Sequence, residues 1–232
     1  MKAYAIVVKG NVVSENGYAD LVKSSQDVSN DFNVERFDAV PTNEVNRRII
    51  EHKLVWNYPW IGNVIDIATG LLKSTYPTAN KLARISCSLS HYELWLKCAL
   101  GDEQILILEH DAHFNKKLDT TFSESKYDII GINHPHGATR RARVFLAQID
   151  QTDAGSEVQI VPTVDDANIP QGIAGNSAYI IKPNGAKHLI KLCAEYGLWP
   201  NDAIMCKQLV KKLGVSKTFY TGVQGLPSTT SL

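Results

Sequence analysis

The apolar run Gln104-Ile-Leu-Ile-Leu108 breaks off abruptly into Glu109-His110-Asp111. A short, continuous apolar run reads as a strand covered on both faces. On an extended chain, carboxylates two residues apart project to one side. Their hard oxygens suit Mg²⁺ or Mn²⁺ bridging a diphosphate. By the same alternation His113 falls on that side as a third candidate ligand. In open α/β sheets, ligands bind beyond the carboxyl ends of the strands, so Glu109 and Asp111 are placed to enter a crevice. The same tripeptide can also cap a loop or pair with lysines, and spacing alone leaves both readings open.

Other residues carry weaker signals. His134-Pro-His136 lies in a turn-like segment, as a metal ligand or as solvated side chains. Arg140-Arg-Ala-Arg143 could grip a phosphate or another anionic ligand, or form a solvated face. The glycines of segment 172–175 suit either a close approach to a ligand or plain turns. Trp56, Tyr58 and Trp60 could stack on the flat face of a ligand or staple a loop to the core.

These residues need a scaffold. Residues 3–8 read as a strand, 14–28 as a helix, 32–40 as a second strand and 43–53 as a second helix. Segment 55–76, rich in aromatics, Gly and Pro, has no clean period and reads as an irregular insertion or lid. Residues 80–100 give the strongest helix, with Leu82, Ile85, Leu89, Tyr92, Leu96 and Leu100 on one stripe and Arg84, Ser88, His91 and Trp95 on another. Strands are predicted at 127–132, 158–161 and 177–181, and helices at 185–196 and 201–213. Alternating elements imply one α/β domain over residues 1–221, with a mostly parallel sheet and helices on both faces. Residues 222–232 have the composition of a disordered tail.

The composition, 44% hydrophobic and 21% charged, is that of a globular domain. Lysine plus arginine equals aspartate plus glutamate at 24 each, so no overall field draws nucleic acid or an anionic membrane. Four cysteines without C-x-x-C pairing suggest buried thiols in a reducing compartment. No apolar run reaches the ~20 residues that span a bilayer. The expectation is a soluble cytoplasmic protein, with peripheral membrane contact left open.

The run Arg84-Ile-Ser-Cys-Ser-Leu-Ser-His91, then Trp95, then Ile105-Leu-Ile-Leu-Glu-His-Asp-Ala112 closely resembles glycosyltransferase family 25, the lipooligosaccharide galactosyltransferase and collagen glucosyl/galactosyltransferase family. Its members carry a pattern like G-C-x-L-S-H-x-x-x-W followed by I-L-E-D-D-A. Asn176-Ser-Ala-Tyr179 with Gly185-Ala186 and Leu189, and Trp199-Pro-Asn-Asp202, look like later family segments. Here His110 stands where the family has its second acid, and residues 9–18 lack the family's arginines. The tail does not suggest the retention signal of animal relatives, which favours a microbial or viral source.

The resemblance implies a GT-A-like fold and inverting transfer of a hexose, galactose favoured over glucose, from a UDP-sugar donor to a saccharide or glycan acceptor with Mn²⁺ or Mg²⁺. It implies Asp202 as general base, with a helix-start carboxylate stabilised by the dipole as the competing reading. Glu109, Asp111 and His113 would hold the metal, with Asp111 also catalytic. Ser90, His91, His110, Asn176, Tyr179 and Arg140 would bind substrate. Two alternatives remain: a binding protein that lost catalysis when His110 replaced the acid, and a metal hydrolase using His110, Asp111 and His113 with His134 or His136.

Overall fold

A computed structural model describes residues 1–150 and 157–230. Strand β1 (Lys2–Val7) leads into helix α1 (Val12–Asp27), whose first turn is capped by the Asn11 side chain accepting from the Ser14 N–H at 3.0 Å. Then come β2 (Val34–Asp38), a single 3-10 turn at Thr42–Glu44, and α2 (Val45–Glu51). The predicted irregular insertion folds into a small hairpin of β3 (Asn63–Ile65) and β4 (Leu72–Ser74). It is tied to the core by Tyr58, whose ring centroid lies 5.9 Å from that of Trp199, and by Lys73, which lies over the Trp199 ring; within it Trp56 stacks on Trp60 and Lys73 pairs with Asp66. The aromatic cluster therefore staples the loop.

Helix α3 (Lys81–Ala99) opens on the Asn80 side chain, which accepts from the Ala83 N–H. Its predicted apolar stripe is buried at Ile85, Leu89 and Tyr92, but Leu82 and Leu100 at its ends are exposed. The second stripe is buried too, at Ser88, His91 and Trp95, because α3 is wedged between the sheet and the rest of the core. Next follow β5 (Ile105–Glu109), β6 (Ala112–Phe114), β7 (Ile129–Gly131), α4 (Ala142–Asp150), β8 (Val158–Ile160), β9 (Ala178–Ile181) and α5 (Pro183–Tyr196). The chain ends with α6 (Asn201–Ile204), β10 (Leu213–Ser216) and β11 (Thr221–Val223).

The seven-stranded sheet has the order β2-β1-β5-β9-β7-β10-β8. Strands β2, β1, β5, β7 and β10 run one way, while β9 and β8 oppose them. One face packs on α3 and α5, the other on α1 and the β6–β11 pair, each with its own hydrophobic cluster. This is the mostly parallel α/β sheet that the sequence predicts. All four cysteines are free, and among the described residues no helix is long and apolar enough to cross a membrane.

Two expectations need correction. The helix predicted over 201–213 stops after Ile204, because the following backbone bonds elsewhere. Cys206 bridges Gly172, and the Lys207 N–H donates to the Gln171 carbonyl at 2.9 Å. The boundary placed at 221/222 falls inside β11, which pairs antiparallel with β6. Residues 224–230 continue in contact with the body of the protein, and residues 231 and 232 of the expected tail lie outside the described residues.

Candidate active site

A cavity of about 450 Å³ opens at the carboxyl ends of β1 and β5. Strand β9 explains much of its lining. Because β9 runs against β5, its beginning lies beside the end of β5, and the Glu109 N–H donates to the Ser177 carbonyl at 2.9 Å. Asn176 and Ser177 are thereby brought to the same rim as Glu109 and Asp111. The opposite sequence neighbourhood contributes the loop after β2. Val40 is held there by α3, since its N–H donates to Ser90 Oγ at 3.0 Å and its carbonyl accepts from the Ser86 hydroxyl.

Both acids line the cavity, but not through the extended geometry expected of them. The chain turns at His110 and Asp111 before β6 begins. That turn separates His113 from the acids: it is exposed and lines a shallow depression with His134 and His136. The metal role predicted for His113 beside Glu109 and Asp111 is therefore not supported by its position. Glu109 Oε1 lies 3.2 Å from His91 Nε2. Burial pulls the Glu109 carboxyl upward, but the hydrogen bond to His91 and the nearby positive charge of Arg84 oppose it and hold Glu109 below the usual glutamate value. Asp111 goes the other way. Burial, then the charge of Glu109, push it up to about 7, against a hydrogen bond from Ser177. Its Oδ1 is buried without a partner. His110 also lines the cavity, and burial holds its imidazole below the ordinary histidine value despite the charge of Glu109 and a bond to the Ile6 carbonyl.

Asp202 sits in the first turn of α6 and faces the same cavity. Gly172 makes this placement possible, because a Cβ there would come within 2.9 Å of the Asp202 carbonyl oxygen. Burial raises the Asp202 carboxyl, against the positive charge of Arg84 and a hydrogen bond from the Tyr76 hydroxyl. Its Oδ1 is buried without a partner. Asn176 is 6% exposed, and both its amide nitrogen and its amide oxygen lack partners. A buried amide with both ends open, in the wall of a cavity, is arranged to meet a group that donates and accepts, such as a sugar hydroxyl. Asn176→Leu is expected to weaken binding of the ligand this cavity takes at least tenfold while stabilising the free protein by about 1 kcal/mol or more, since it removes an unsatisfied buried amide. Ligand affinity beside denaturant unfolding measures both, and an unchanged affinity would remove Asn176 from the binding surface.

The structure draws three predicted substrate contacts away from the cavity. Ser90 is fully buried: it accepts from Val40 and donates to the Ser86 carbonyl at 2.7 Å, so it braces the loop and cannot reach a ligand. Ser90→Ala is accordingly expected to destabilise the protein by about 1–3 kcal/mol, leaving the Val40 N–H unpaired, with kcat changed less than threefold. Chemical denaturation together with initial rates decides this. Tyr179 is also fully buried and bonds His91 and Trp95. Arg140 is exposed and does not line the cavity.

Sequence reasoning missed several lining residues. Arg84 shares a face of α3 with His91, a spacing that could have revealed it. Lys9 follows β1, and Thr42 opens the short turn before α2. Residues 226–230 carry no sequence signal for the site, yet all five line it.

The ligand chemistry can be tested against these atoms. Cys87, His91 and Glu109 bring potential ligand atoms within 4.8 Å of one another, the one such group among the described residues. Burial pushes the Cys87 thiol far up, so it does not offer the thiolate a soft cation needs. His110, His113, His134 and His136 form no such group, and His134 Nδ1 already accepts from the His136 N–H at 3.0 Å, which leaves the hydrolase alternative without a ligand set. Glu109 and Asp111 fit a hard divalent cation. Two carboxylates share one cavity wall, and the oxygen left open on Asp111 is the kind of atom such an ion relieves.

A sequence model of glycosyltransferase family 25, described as an LPS biosynthesis protein, matches residues 22–205. No curated protein sequence matches. Similar solved structures include galactosyltransferase LgtC in complex with donor and acceptor sugar analogs, at 11% identity and TM-score 0.45, covering 93% of this chain and 73% of that one. Mouse xyloside xylosyltransferase 1 in its apo form shows 11% identity and TM-score 0.39 over 91% of this chain and 80% of that one. The glycosyltransferase GlyE of Streptococcus pneumoniae TIGR4 gives 11% and 0.39 over 93% and 45%.

Proposed function

Because the chain belongs to glycosyltransferase family 25, we propose that it transfers a hexose, galactose in the first instance, from a UDP-sugar to a hydroxyl of a saccharide or glycan acceptor, with inversion and with the help of Mn²⁺ or Mg²⁺. The observation that supports this most is the convergence of open buried polar atoms, on Asp111, Asn176 and Asp202, in the wall of a single cavity. Groups left open in this way stabilise a ligand that brings hydroxyls and charge of its own.

Each residue then has a task. Glu109 and Asp111 would hold the cation, which when bound offsets the negative charge gathering on a departing diphosphate. Lys9 and Arg84 place positive charge on the same wall, suited to phosphate oxygens. Asn176 fixes a sugar hydroxyl. Asp202 accepts the proton of the attacking acceptor hydroxyl, a role that inversion by a single displacement requires of some base. Its raised pKa brings it nearer the operating pH.

A panel of nucleotide sugars assayed for nucleotide release, with and without Mn²⁺, tests the proposal. Acceptor-dependent turnover of UDP-galactose that needs the metal is expected. UDP binding with neither transfer nor hydrolysis of any donor would make the chain a binding module instead.

A further inference from the structure

Behind Glu109 runs a buried file of three side chains. Trp95 Nε1 donates to the Tyr179 hydroxyl at 2.8 Å, the Tyr179 oxygen lies 2.9 Å from His91 Nδ1, and His91 Nε2 lies 3.2 Å from Glu109 Oε1. Trp95, His91 and Tyr179 are each fully buried. The local architecture aligns them. His91 and Trp95 are four residues apart on one face of α3, and the Tyr179 ring stacks on the His91 imidazole with 17° between planes. Tyr179 is registered opposite Ile107, two residues before Glu109 on the same side of β5.

The donors and acceptors in this file admit one assignment. An indole N–H can only donate, so the Tyr179 oxygen is an acceptor toward Trp95. The Tyr179 hydroxyl proton then needs an acceptor, and His91 Nδ1 is its one remaining neighbour. A hydrogen on Nδ1 would leave the tyrosine O–H buried with nothing to bond, a cost of about 1–3 kcal/mol. Nδ1 is therefore bare, and the imidazole hydrogen sits on Nε2, directed at Glu109.

The geometry points to Tyr179 and Trp95 as positioning residues that fix the His91 tautomer, so that His91 donates from Nε2 to Glu109 and sets the orientation in which that carboxylate meets the divalent cation. Only the last clause rests on the proposed metal-assisted transfer. The assignment also explains why Cys87, His91 and Glu109 do not form a soft-metal site: His91 Nε2 carries a hydrogen and has no lone pair to offer. Losing an outer-shell group that hydrogen-bonds a metal ligand typically costs about 10–100-fold in metal affinity.

The test uses the full chain labelled with ¹⁵N-histidine and Mn²⁺ alone as the probe. Nitrogen shifts of His91, assigned by comparison with His91→Gln, should show a protonated Nε2 and a bare Nδ1. A proton on Nδ1 overturns the inference, whether or not the protein transfers sugar. Tyr179→Phe should weaken Mn²⁺ binding, read by electron paramagnetic resonance, about tenfold with unchanged circular dichroism, and binding equal to wild type would overturn the positioning role. His91→Gln, whose amide N–H reaches a similar point, should keep more Mn²⁺ affinity than His91→Leu, and equal loss in both would also overturn it. Wild-type protein that binds no Mn²⁺ while showing the expected tautomer would instead remove the metal from the proposed function.

Discussion

Asp111→Asn is expected to lower sugar transfer at least a hundredfold while leaving the fold as stable as before or more so. The first half follows from geometry: Asp111 presents a buried oxygen with no partner to the cavity beside Glu109, and an amide in its place cannot share a dication's charge. The second half follows from burial. The Asp111 carboxyl titrates near 7, against an ordinary 3.8, because burial and then Glu109 oppose its charge. A raised carboxyl pKa means that the folded protein holds the proton more readily than the unfolded chain. The penalty for ionisation is thus absent below about pH 4, grows between there and 7, and is complete above it. With chelator present at pH 8, Asp111→Asn should gain about 1 kcal/mol or more, roughly 3 °C in Tm for a chain of this size, and the gain should vanish at pH 4. Calorimetry at the two pH values, with initial rates in Mn²⁺, checks both halves. Transfer within a few-fold of wild type would remove Asp111 from the metal site.

Asp202→Asn should be comparably severe for a different reason. A base that takes the acceptor proton contributes about 10²–10⁴-fold to the chemical step, so kcat should fall by that order with the donor KM within about threefold. Its environment adds a more discriminating expectation. The Tyr76 hydroxyl hydrogen-bonds the Asp202 carboxyl and favours its charged form, in opposition to burial. Tyr76→Phe removes that bond, so the acidic limb of the kcat profile should move to higher pH by about a unit or less while the plateau stays near wild type. A helix-start carboxylate with no chemical role predicts neither the fall in kcat nor the moved limb. Rates across pH 5–9 for the three proteins distinguish the cases.

How far the sequence reached depends on whether the deciding interactions are local. Strand β5 and the cap of α3 are legible because a continuous apolar run and Asn80 act within a few residues of themselves. Glu109 and Asp111 are visible as the end of an apolar strand, Asn176 and Asp202 only through the family resemblance, and all four line one cavity. His113 was misplaced because period-two alternation holds only while a strand continues, and a turn intervenes at His110 and Asp111. Ser90 and Tyr179 carry the right chemistry for a ligand, but their partners, Val40 and Trp95, lie far away in sequence. The helix expected after Asn201 was overridden by backbone bonds to residues about thirty-five positions earlier, which no local propensity registers. Residues 222–230 have a loop-like composition, and only long-range bonding orders them.

Beyond β11 that segment is moored at Gln224, whose backbone N–H donates to the Asp111 carbonyl at 2.8 Å. The Gln224 amide donates to the Gly17 carbonyl at 2.9 Å and the Ala112 carbonyl at 2.8 Å, and Leu226 rests against Gly17, where any Cβ would come within 2.8 Å of the His110 carbonyl. Gly17 and Gln224 are 207 positions apart, and all seven strands of the main sheet lie between α1 and this segment or before it, so residues 226–230 add their side of the cavity after the sheet has been made. The residues that close this side of the cavity therefore emerge after the strands they close over, and dock on α1 once those strands have been made.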